Sequence, residues 1–260
     1  MQLARIWSSD GVTRDADRRA PPPRRRRLEL ARRGASSAAA AVLVFITAVA
    51  GAVELPGELL RPPCVGCQQP ADSAQGLFSA ADWKRLRDGK VVVVDRSDAG
   101  GEGAAPKESE AAVIIPRPPS EVWAVLVDFE SRPRIWPEVS ESRLERVEDN
   151  RAWIRQSVKI LWTQIRYTLT TTLDPARGVM TFALDRSAPH DIRDSSGSWQ
   201  ILPDGDGAAL LLSRDRVDPG TPLPAMIERY LVGKSLPAMM SNLRQEVERR
   251  ADPSAGPLYH

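Results

Sequence analysis

The sequence predicts an α+β domain in which an antiparallel sheet is followed by one long C-terminal helix. Three observations lead to this fold class. Short apolar runs separated by turn residues fill residues 143–216, and their short connections favour an antiparallel meander. A helical pattern precedes these runs at residues 118–129. A longer helical pattern follows them at residues 225–250.

The first part of the domain alternates helical and extended patterns. Residues 79–88 predict a short helix, capped by Ser79 and ended by Gly89. The extended runs 90–95 and 110–115 flank a polar, Gly-rich loop. These two runs fit either one interrupted strand or a hairpin.

The next predicted helix begins at a proline pair. Pro118 and Pro119 cannot continue a strand ladder, but they suit the first turn of a helix. Ser120 and Glu121 place polar and acidic groups there, where free amides and the helix dipole favour them. The apolar face of this helix is Val122, Val125, Leu126 and Phe129, and Ile135, Trp136 and Val139 form a short helical segment after it.

Six β-patterned runs follow, and their alternation separates two faces of the sheet. Ile165, Tyr167, Leu169 and Leu173 share one face of their strand. The other face is polar and should meet water: Gln164, Arg166, Thr168, Thr170 and Thr172. The six runs are 143–147, 151–160, 164–173, 179–184, 195–202 and 208–216.

Pro237 interrupts the predicted closing helix. We expect a break near Gly233 to Ser235, with Ser235 capping the second part. One stripe of this helix is apolar at helical spacing: Val232, Leu236, Met240, Leu243 and Val247.

The order of these motifs resembles the START-like superfamily, and most closely its polyketide cyclase / coenzyme Q-binding family. The resemblance rests on the stretch from Ala111 to Pro137, on Ser196-Gly197-Ser198-Trp199 and on the closing helix. It covers residues 77–250. It implies a helix-grip fold, in which a curved antiparallel sheet of about six to seven strands wraps the C-terminal helix and leaves an apolar cavity.

The resemblance implies a protein that binds an apolar small molecule, a lipid or an isoprenoid quinone. Two other classes stay open: a cyclase or dehydratase acting on a polyketide-like substrate, and a module that binds proteins through the sheet. The polarity of the cavity distinguishes them. A wholly apolar cavity supports carriage, several convergent polar groups support catalysis, and a filled core supports protein interaction.

Six residues are candidate ligand contacts. Aromatic rings and methionines offer broad or adaptable apolar walls, although core packing explains each of them as well. Arg214 is a candidate for the polar head of a ligand, and a surface salt bridge is the alternative. The candidates are Trp136, Tyr167, Trp199, Arg214, Met226 and Tyr230.

The sequence gives little support for side-chain catalysis and favours a non-enzymatic role. His190 is the only histidine before the terminal residue, and it lies in a turn-like segment. No Gly-rich phosphate loop precedes a helix. Asp185, Asp191 and Asp194 do not have calcium-loop spacing. We therefore predict no catalytic residue, no metal and no cofactor.

The N-terminal segment is distinct from the domain. Residues 1–34 hold ten Arg and four acidic residues, a composition typical of a disordered basic tail, so the charge gives no case for nucleic-acid binding. Residues 35–53 carry no charge. A basic flank before an apolar run predicts a signal peptide or a single transmembrane anchor at 35–55, which places the domain in the bacterial periplasm, exported or anchored in the inner membrane.

A Pro-rich segment at residues 56–76 predicts a linker to the domain. It contains Cys64 and Cys67, which fit a redox pair, a local disulfide or two free thiols. Residues 251–260 predict a polar tail, and the oligomeric state is left open.

Overall fold

Strands and helices alternate with turns over the residues that the computed structural model describes: 53–63, 69–95, 107–205, 207–221 and 225–252. All of them belong to one unit, residues 50–260. The helices are α1 (Ala80–Arg87), α2 (Pro119–Leu126), α3 (Arg132–Ile135), α4 (Ala225–Tyr230) and α5 (Leu236–Ala251), with 3-10 turns at Ala71–Leu77 and Phe129–Ser131 and a π-helical turn at Leu231–Ser235. The strands are β1 (Val92–Asp95), β2 (Lys107–Ile115), β3 (Val139–Glu148), β4 (Arg151–Ile160), β5 (Thr163–Asp174), β6 (Val179–Leu184), β7 (Asp194–Asp204) and β8 (Ala208–Asp218).

The strands form one curved, unclosed antiparallel sheet in the order β1-β2-β8-β7-β6-β5-β4-β3. The predicted α+β class and helix-grip fold are confirmed, although the sheet has eight strands rather than six to seven. The extended runs 90–95 and 110–115 are separate strands that pair with one another, and Val93 lies opposite Ala111. β2 then pairs with β8, so the last strand of the meander lies inside the sheet.

Helix α5 packs against the concave face of the sheet, because both surfaces carry apolar side chains at matching periods. Val113 and Leu211 lie opposite each other in the β2–β8 ladder and are fully buried. On α5, Met240, Leu243 and Val247 recur at helical spacing and join the same core. The second half of the predicted apolar stripe is therefore buried as expected.

A second apolar layer covers the convex face at one edge of the sheet. Leu86 of α1 packs there against Leu210 and Leu212 of β8. Ser79 caps α1 as predicted, because its hydroxyl oxygen accepts a hydrogen bond from the Asp82 backbone N–H at 3.1 Å. The sheet is thus covered by helices on both faces at its β2–β8 part.

Parts of the segment predicted as a linker, residues 56–76, pack on the domain. Leu59 is buried in the main core, and its carbonyl oxygen accepts a hydrogen bond from the Trp123 indole N–H at 3.0 Å. Ala71 and Ala74 are buried in the layer around α1. These residues lack apolar periodicity, so the sequence did not indicate their contribution to the core.

The predicted interruption of the closing helix takes the form of a π-helical turn between α4 and α5. Pro237 lies in the first turn of α5, and the wider π turn before it accommodates its missing N–H. The prediction that Ser235 caps α5 is wrong. Its backbone is helical, and its hydroxyl accepts a hydrogen bond from the Trp136 indole N–H at 3.4 Å.

The predictions for residues 1–52 and for Cys64 and Cys67 lie outside the described residues. They include the basic tail and the signal peptide or anchor. Within the described ranges, none of the helices combines the length and the apolar character that a membrane span requires.

Candidate functional site

The concave face becomes polar toward one end of the sheet. We call it the β4–β5 end, because the hairpin at residues 160–163 joins these strands there. Trp199 and Leu211, farther from this end, are buried in the apolar core. Along β8 the same face then carries Ser213 and Asp215, since side chains two apart in a strand point to the same side.

Three ionisable groups converge on this polar part, and we call them the buried polar cluster: Arg132, Tyr167 and Asp215. Arg132 begins α3, and the other two extend from β5 and β8. The charge of Arg132 lowers the pKa of both Tyr167 and Asp215, and Asp215 raises the pKa of Arg132 and of Tyr167, so the three lie within electrostatic reach. Arg132 and Asp215 are each half-buried, and Tyr167 is 9% exposed.

Burial controls the titration of all three groups. It raises the pKa of Asp215 to about 6, although a hydrogen bond from Ser213 and the charge of Arg132 both lower it. Burial also raises the pKa of Tyr167 to about 12 and lowers the pKa of Arg132 to about 10. At neutral pH the cluster holds a guanidinium, a neutral phenol and a carboxylate close to its titration range.

The three groups do not bond to one another: no hydrogen bond and no ion pair within 4.0 Å connects them. The Ser213 hydroxyl donates to the Asp215 carboxylate, and the Arg132 guanidinium lies 5.0 Å from the centroid of the Phe129 ring. Arg132 has no hydrogen-bond acceptor among the described residues. The guanidinium N–H groups of this half-buried side chain are therefore available as donors to a bound molecule.

A buried amide oxygen adds a second group without a partner. Gln156 is 1% exposed and lies opposite Tyr167 in the β4–β5 ladder, on the concave face. Its amide nitrogen donates to the Ser142 hydroxyl at 3.4 Å, whereas its Oε1 has no donor among the described residues. Buried polar atoms without partners are uncommon, so this oxygen is a contact point for a donor on a bound molecule.

Gly197 allows a close approach beside the cluster. A Cβ at this position would lie 2.2 Å from the Arg214 carbonyl oxygen and 2.5 Å from the Phe182 ring. Gly197 is the register partner of Asp215 in the β7–β8 ladder. Phe182 thus packs directly over the β7 backbone next to the buried carboxylate, and a larger residue at 197 would displace the ring.

Three of the six predicted ligand contacts lie on the concave side of the sheet. Tyr167 belongs to the buried polar cluster. Trp199 is buried in the main core, and Trp136 is half-buried between this core and a smaller apolar group on β3 to β6. Their contact with a ligand stays a prediction.

Arg214 lies on the convex face, and the prediction that it meets a ligand in the cavity is wrong. Its Nε forms an ion pair with Glu110 Oε1 at 2.9 Å, and its side chain is 45% exposed. Alternation along β8 places residue 215, rather than residue 214, on the concave face. The alternative of a surface salt bridge describes Arg214 correctly.

Met226 and Tyr230 lie at the surface of α4, with 65% and 43% of their area exposed. They share one helix face, as their spacing predicts, but that face points outward, so they do not line an internal pocket. The Tyr230 hydroxyl donates to Glu138 Oε1 at 2.8 Å, which raises the pKa of Tyr230.

The sequence analysis missed Arg132 and Asp215. Asp215 has a signal in the sequence, because it continues the alternation of Leu211 and Ser213 and so places a carboxylate on the buried face. Arg132 has no comparable signal. It follows a 3-10 turn and precedes Pro133, and the direction of its side chain depends on how these short helical turns pack.

His190 lies exposed in the connection between β6 and β7, and its Nδ1 donates to the Ile192 carbonyl oxygen at 2.8 Å. In the described part of the chain, no three His, Cys, Asp or Glu side chains are arranged to hold a metal ion.

A family model described as polyketide cyclase / dehydrase and lipid transport matches residues 107–248, more than half of the chain. The chain belongs to this family. The match begins with β2 and ends within α5, so it includes the buried polar cluster of this family member. No curated protein matches the sequence.

Solved structures with a similar fold include proteins of two kinds. The Zhui aromatase/cyclase from Streptomyces sp. R1128 is 21% identical with a TM-score of 0.51, covering 58% of this chain and 99% of that chain. A STAR-related lipid transfer protein from Xanthomonas axonopodis is 20% identical with a TM-score of 0.50, covering 61% and 93%. Human STARD10 is 14% identical with a TM-score of 0.52, covering 66% and 80%. Identities of this size show a shared fold only.

Proposed function

We propose that this family member binds an apolar small molecule with an oxygen-bearing head, a lipid or an isoprenoid quinone, against the concave face of its sheet. The observation that carries the proposal is the buried polar cluster at one end of an otherwise apolar concave face. Ligand sites of this kind combine apolar walls with a few placed polar groups that fix orientation.

The free donors of Arg132 support a ligand head that accepts hydrogen bonds. Carboxylate, ester and quinone oxygens are acceptors, and a hydrogen bond to a charged donor is about twice as strong as a neutral one. Tyr167 is neutral at physiological pH, so its hydroxyl can donate to a second oxygen of the same head. Gln156 Oε1 would accept from a hydroxyl on the ligand.

The apolar body of the ligand would pack beside the cluster. Leu169 and Leu184 are buried near Tyr167, and Phe182 packs over Gly197 on the same face. Removal of hydrocarbon from water contributes about 25 cal/mol per Å² of buried apolar area, offset by the ordering of the chain. Acyl or isoprenoid chains therefore suit this surface better than compact polar metabolites.

Native mass spectrometry of the full chain tests the proposal. Protein purified from a bacterial host, or exposed to a bacterial lipid extract, should carry a bound apolar molecule with a carbonyl, carboxyl or quinone head. The bound mass should be absent, or strongly reduced, in an Arg132→Gln variant that melts like the parent. A parent protein that stays free of any adduct after exposure to lipid extract would overturn the proposal.

A second candidate function is a cyclase or dehydratase reaction on a polyketide-like substrate. It is favoured by the convergence of several polar groups in the cluster, which counts toward catalysis, and by the carboxyl of Asp215, whose pKa of about 6 lets it accept and return a proton near neutral pH beside the neutral phenol of Tyr167. A poly-β-ketone mimic should then cyclise with loss of water in the presence of the parent protein, and Asp215→Asn should abolish the reaction. An unchanged mimic in the presence of the parent would rule out this candidate.

We propose further that the domain is exported or anchored in the inner membrane. The support is the basic flank before the uncharged run at residues 35–53. A periplasm-dependent reporter fused after Gly76 should be active in a bacterial host. Reporter activity confined to the cytoplasm would contradict this location.

A further inference from the structure

Exposed apolar side chains concentrate at the β4–β5 end of the sheet. Trp162 is 84% exposed and Leu161 is 51% exposed at the tip of the β4–β5 hairpin, and Met226 of α4 is 65% exposed. Most large apolar side chains are buried in a soluble domain, so a group of such exposed residues indicates a contact surface. The exposed large apolar side chains of the described residues are Val53, Leu60, Leu161, Trp162, Val217, Met226 and Tyr230, of which the last five lie at this end.

The hairpin tip and α4 both lie at the β4–β5 end, and we call their exposed apolar side chains the apolar rim (Leu161, Trp162, Met226). Glu138, just before β3, connects the two elements. Its carboxylate accepts the hydrogen bond from Tyr230 of α4, and its carbonyl oxygen accepts one from the Lys159 backbone N–H at 2.6 Å. Lys159 is two residues before Leu161, and Met226 is one helical turn before Tyr230.

The residues at the hairpin tip do not stabilise the fold. Leu161 has a φ of 56°, in the left-handed region that two-residue hairpins usually fill with Gly or Asn. A leucine there is strained, and neither it nor Trp162 belongs to a core cluster. Strained apolar residues that contribute nothing to the core indicate a role in contact with another surface.

Three exposed cations lie on or next to the two elements that carry the apolar rim. Lys159, Arg229 and Lys234 are exposed, and none has an ion-pair partner among the described residues. Residues 159–164 and 225–235 contain these three cations and a single acidic residue. By contrast, the arginines of the neighbouring β5–β8 segments are paired: Arg166 with Asp191, Arg186 with Asp194 and Arg193 with Asp218.

We propose that the apolar rim docks on the surface of an anionic lipid bilayer. Trp162, Leu161 and Met226 would enter the interfacial layer, where tryptophan is favoured, and the three cations would contact lipid phosphates. Tyr167 lies four residues along β5 from the hairpin, about 13 Å at the rise of an extended strand. Docking would thus bring the buried polar cluster close to the bilayer. This contact is separate from any anchor formed by residues 35–53.

Quenching of tryptophan emission by brominated acyl chains tests the position of Trp162. The full chain is mixed with vesicles of phosphatidylcholine and phosphatidylglycerol that carry brominated chains. The parent should be quenched more than Trp162→Phe, which keeps an apolar side chain but removes the reporter. Equal quenching of parent and Trp162→Phe would overturn the proposal, even if the chain is held on the vesicle by its N-terminal segment.

Leu161→Ser and Leu60→Ser form a matched pair of variants, because both leucines are 51% exposed. Leu60 lies in a groove near Phe129 and Leu144, away from the hairpin. Leu161→Ser should weaken docking, measured by the Trp162 component of the quenching, about fivefold, and Leu60→Ser should leave it unchanged. Equal effects of the two variants would overturn the proposal.

The lipid composition separates an anionic bilayer from other partners. Omission of phosphatidylglycerol should reduce the affinity for the vesicles about fivefold for each cation that contacts the lipid phosphates. Equally strong quenching on neutral vesicles would show that docking does not depend on anionic lipids. Concentration-dependent self-association through the rim, detected without vesicles and lost in Trp162→Ser, would overturn bilayer docking in favour of a second copy of the chain. Ligand binding measured without vesicles is unaffected by all of these results.

Discussion

Replacement of Asp215 by Asn should stabilise the protein at neutral and alkaline pH. The pKa of Asp215 is about 6 in the folded protein against 3.8 when the group is exposed. Between these values the folded protein binds more protons than the unfolded chain, so this carboxyl lowers stability as the pH rises. A difference of about two pH units corresponds to roughly 3 kcal/mol of destabilisation once the group is ionised in both states.

Asn cannot ionise, so the variant does not lose stability as the pH rises through this range. Arg132 loses a compensating charge in the variant, and we therefore expect a net gain of about 1 to 3 kcal/mol near pH 8. For a domain of this size, 1 kcal/mol shifts the melting temperature by roughly 2–4 °C. Near pH 4 the parent carboxyl is already neutral in the folded protein, and the two proteins should melt at similar temperatures.

Thermal unfolding followed by circular dichroism between about pH 4 and pH 8 measures this difference. Asp185→Asn is a control of opposite sign, because a hydrogen bond from Ser187 lowers the pKa of Asp185. That variant should be less stable than the parent at neutral pH, with the difference lost as the pH falls. If the difference in melting temperature between the parent and Asp215→Asn does not change with pH, Asp215 is not a buried, ionisable carboxyl on the concave face.

Three further predictions concern the fold around the site. Leu243→Asp should unfold the domain or destabilise it by several kcal/mol, because Leu243 is 3% exposed in the α5 core; a circular dichroism melt like that of the parent would contradict this packing. Gly197→Ala should cost about 1–3 kcal/mol, whereas Gly76→Ala, with open space around it, should be neutral; the idea fails if the two variants melt alike. Glu246→Gln should destabilise the protein by about 1 kcal/mol at pH 7, because hydrogen bonds from Arg249 and Arg250 lower the pKa of Glu246 to about 2. The stabilisation by the Glu246 carboxylate is present above the unfolded pKa and should disappear as the pH falls to about 2. A stability difference between parent and variant that persists at that pH would contradict this role of Glu246.

Most of the fold could be predicted from local patterns. Alternation along β5 separated its two faces, and the proline pair at Pro118 and Pro119 marked the start of α2. Alternation along β8 grouped its side chains, but it did not show which group faces the concave side. The sequence could not show that Leu59, Ala71 and Ala74, within residues 56–76, pack on the domain. The Leu59 carbonyl oxygen accepts a hydrogen bond from an indole N–H 64 positions later. No apolar periodicity around Leu59 predicts this contact.

The candidate site was less accessible to sequence reasoning. Tyr167 can be predicted because its strand alternates clearly. β8 alternates as clearly, but alternation alone does not show whether Arg214 or Asp215 lies on the concave face. Met226 and Tyr230 share a helix face as their spacing requires, but spacing does not say whether that face is buried. Arg132 depends on the packing of two short helical turns, which is a tertiary property.

Paired arginine variants test whether a ligand head binds at the buried polar cluster. Arg132 and Arg134 lie two residues apart in α3, but Arg134 is exposed and donates to the Ser131 hydroxyl at 3.3 Å. A short-chain isoprenoid quinone is titrated into each protein while quenching of tryptophan emission is followed. Arg132→Gln should bind about tenfold or more weakly than the parent, because it loses a charged hydrogen bond, whereas Arg134→Gln should bind like the parent. Equal affinities of the two variants for the quinone would contradict binding of the head at this cluster.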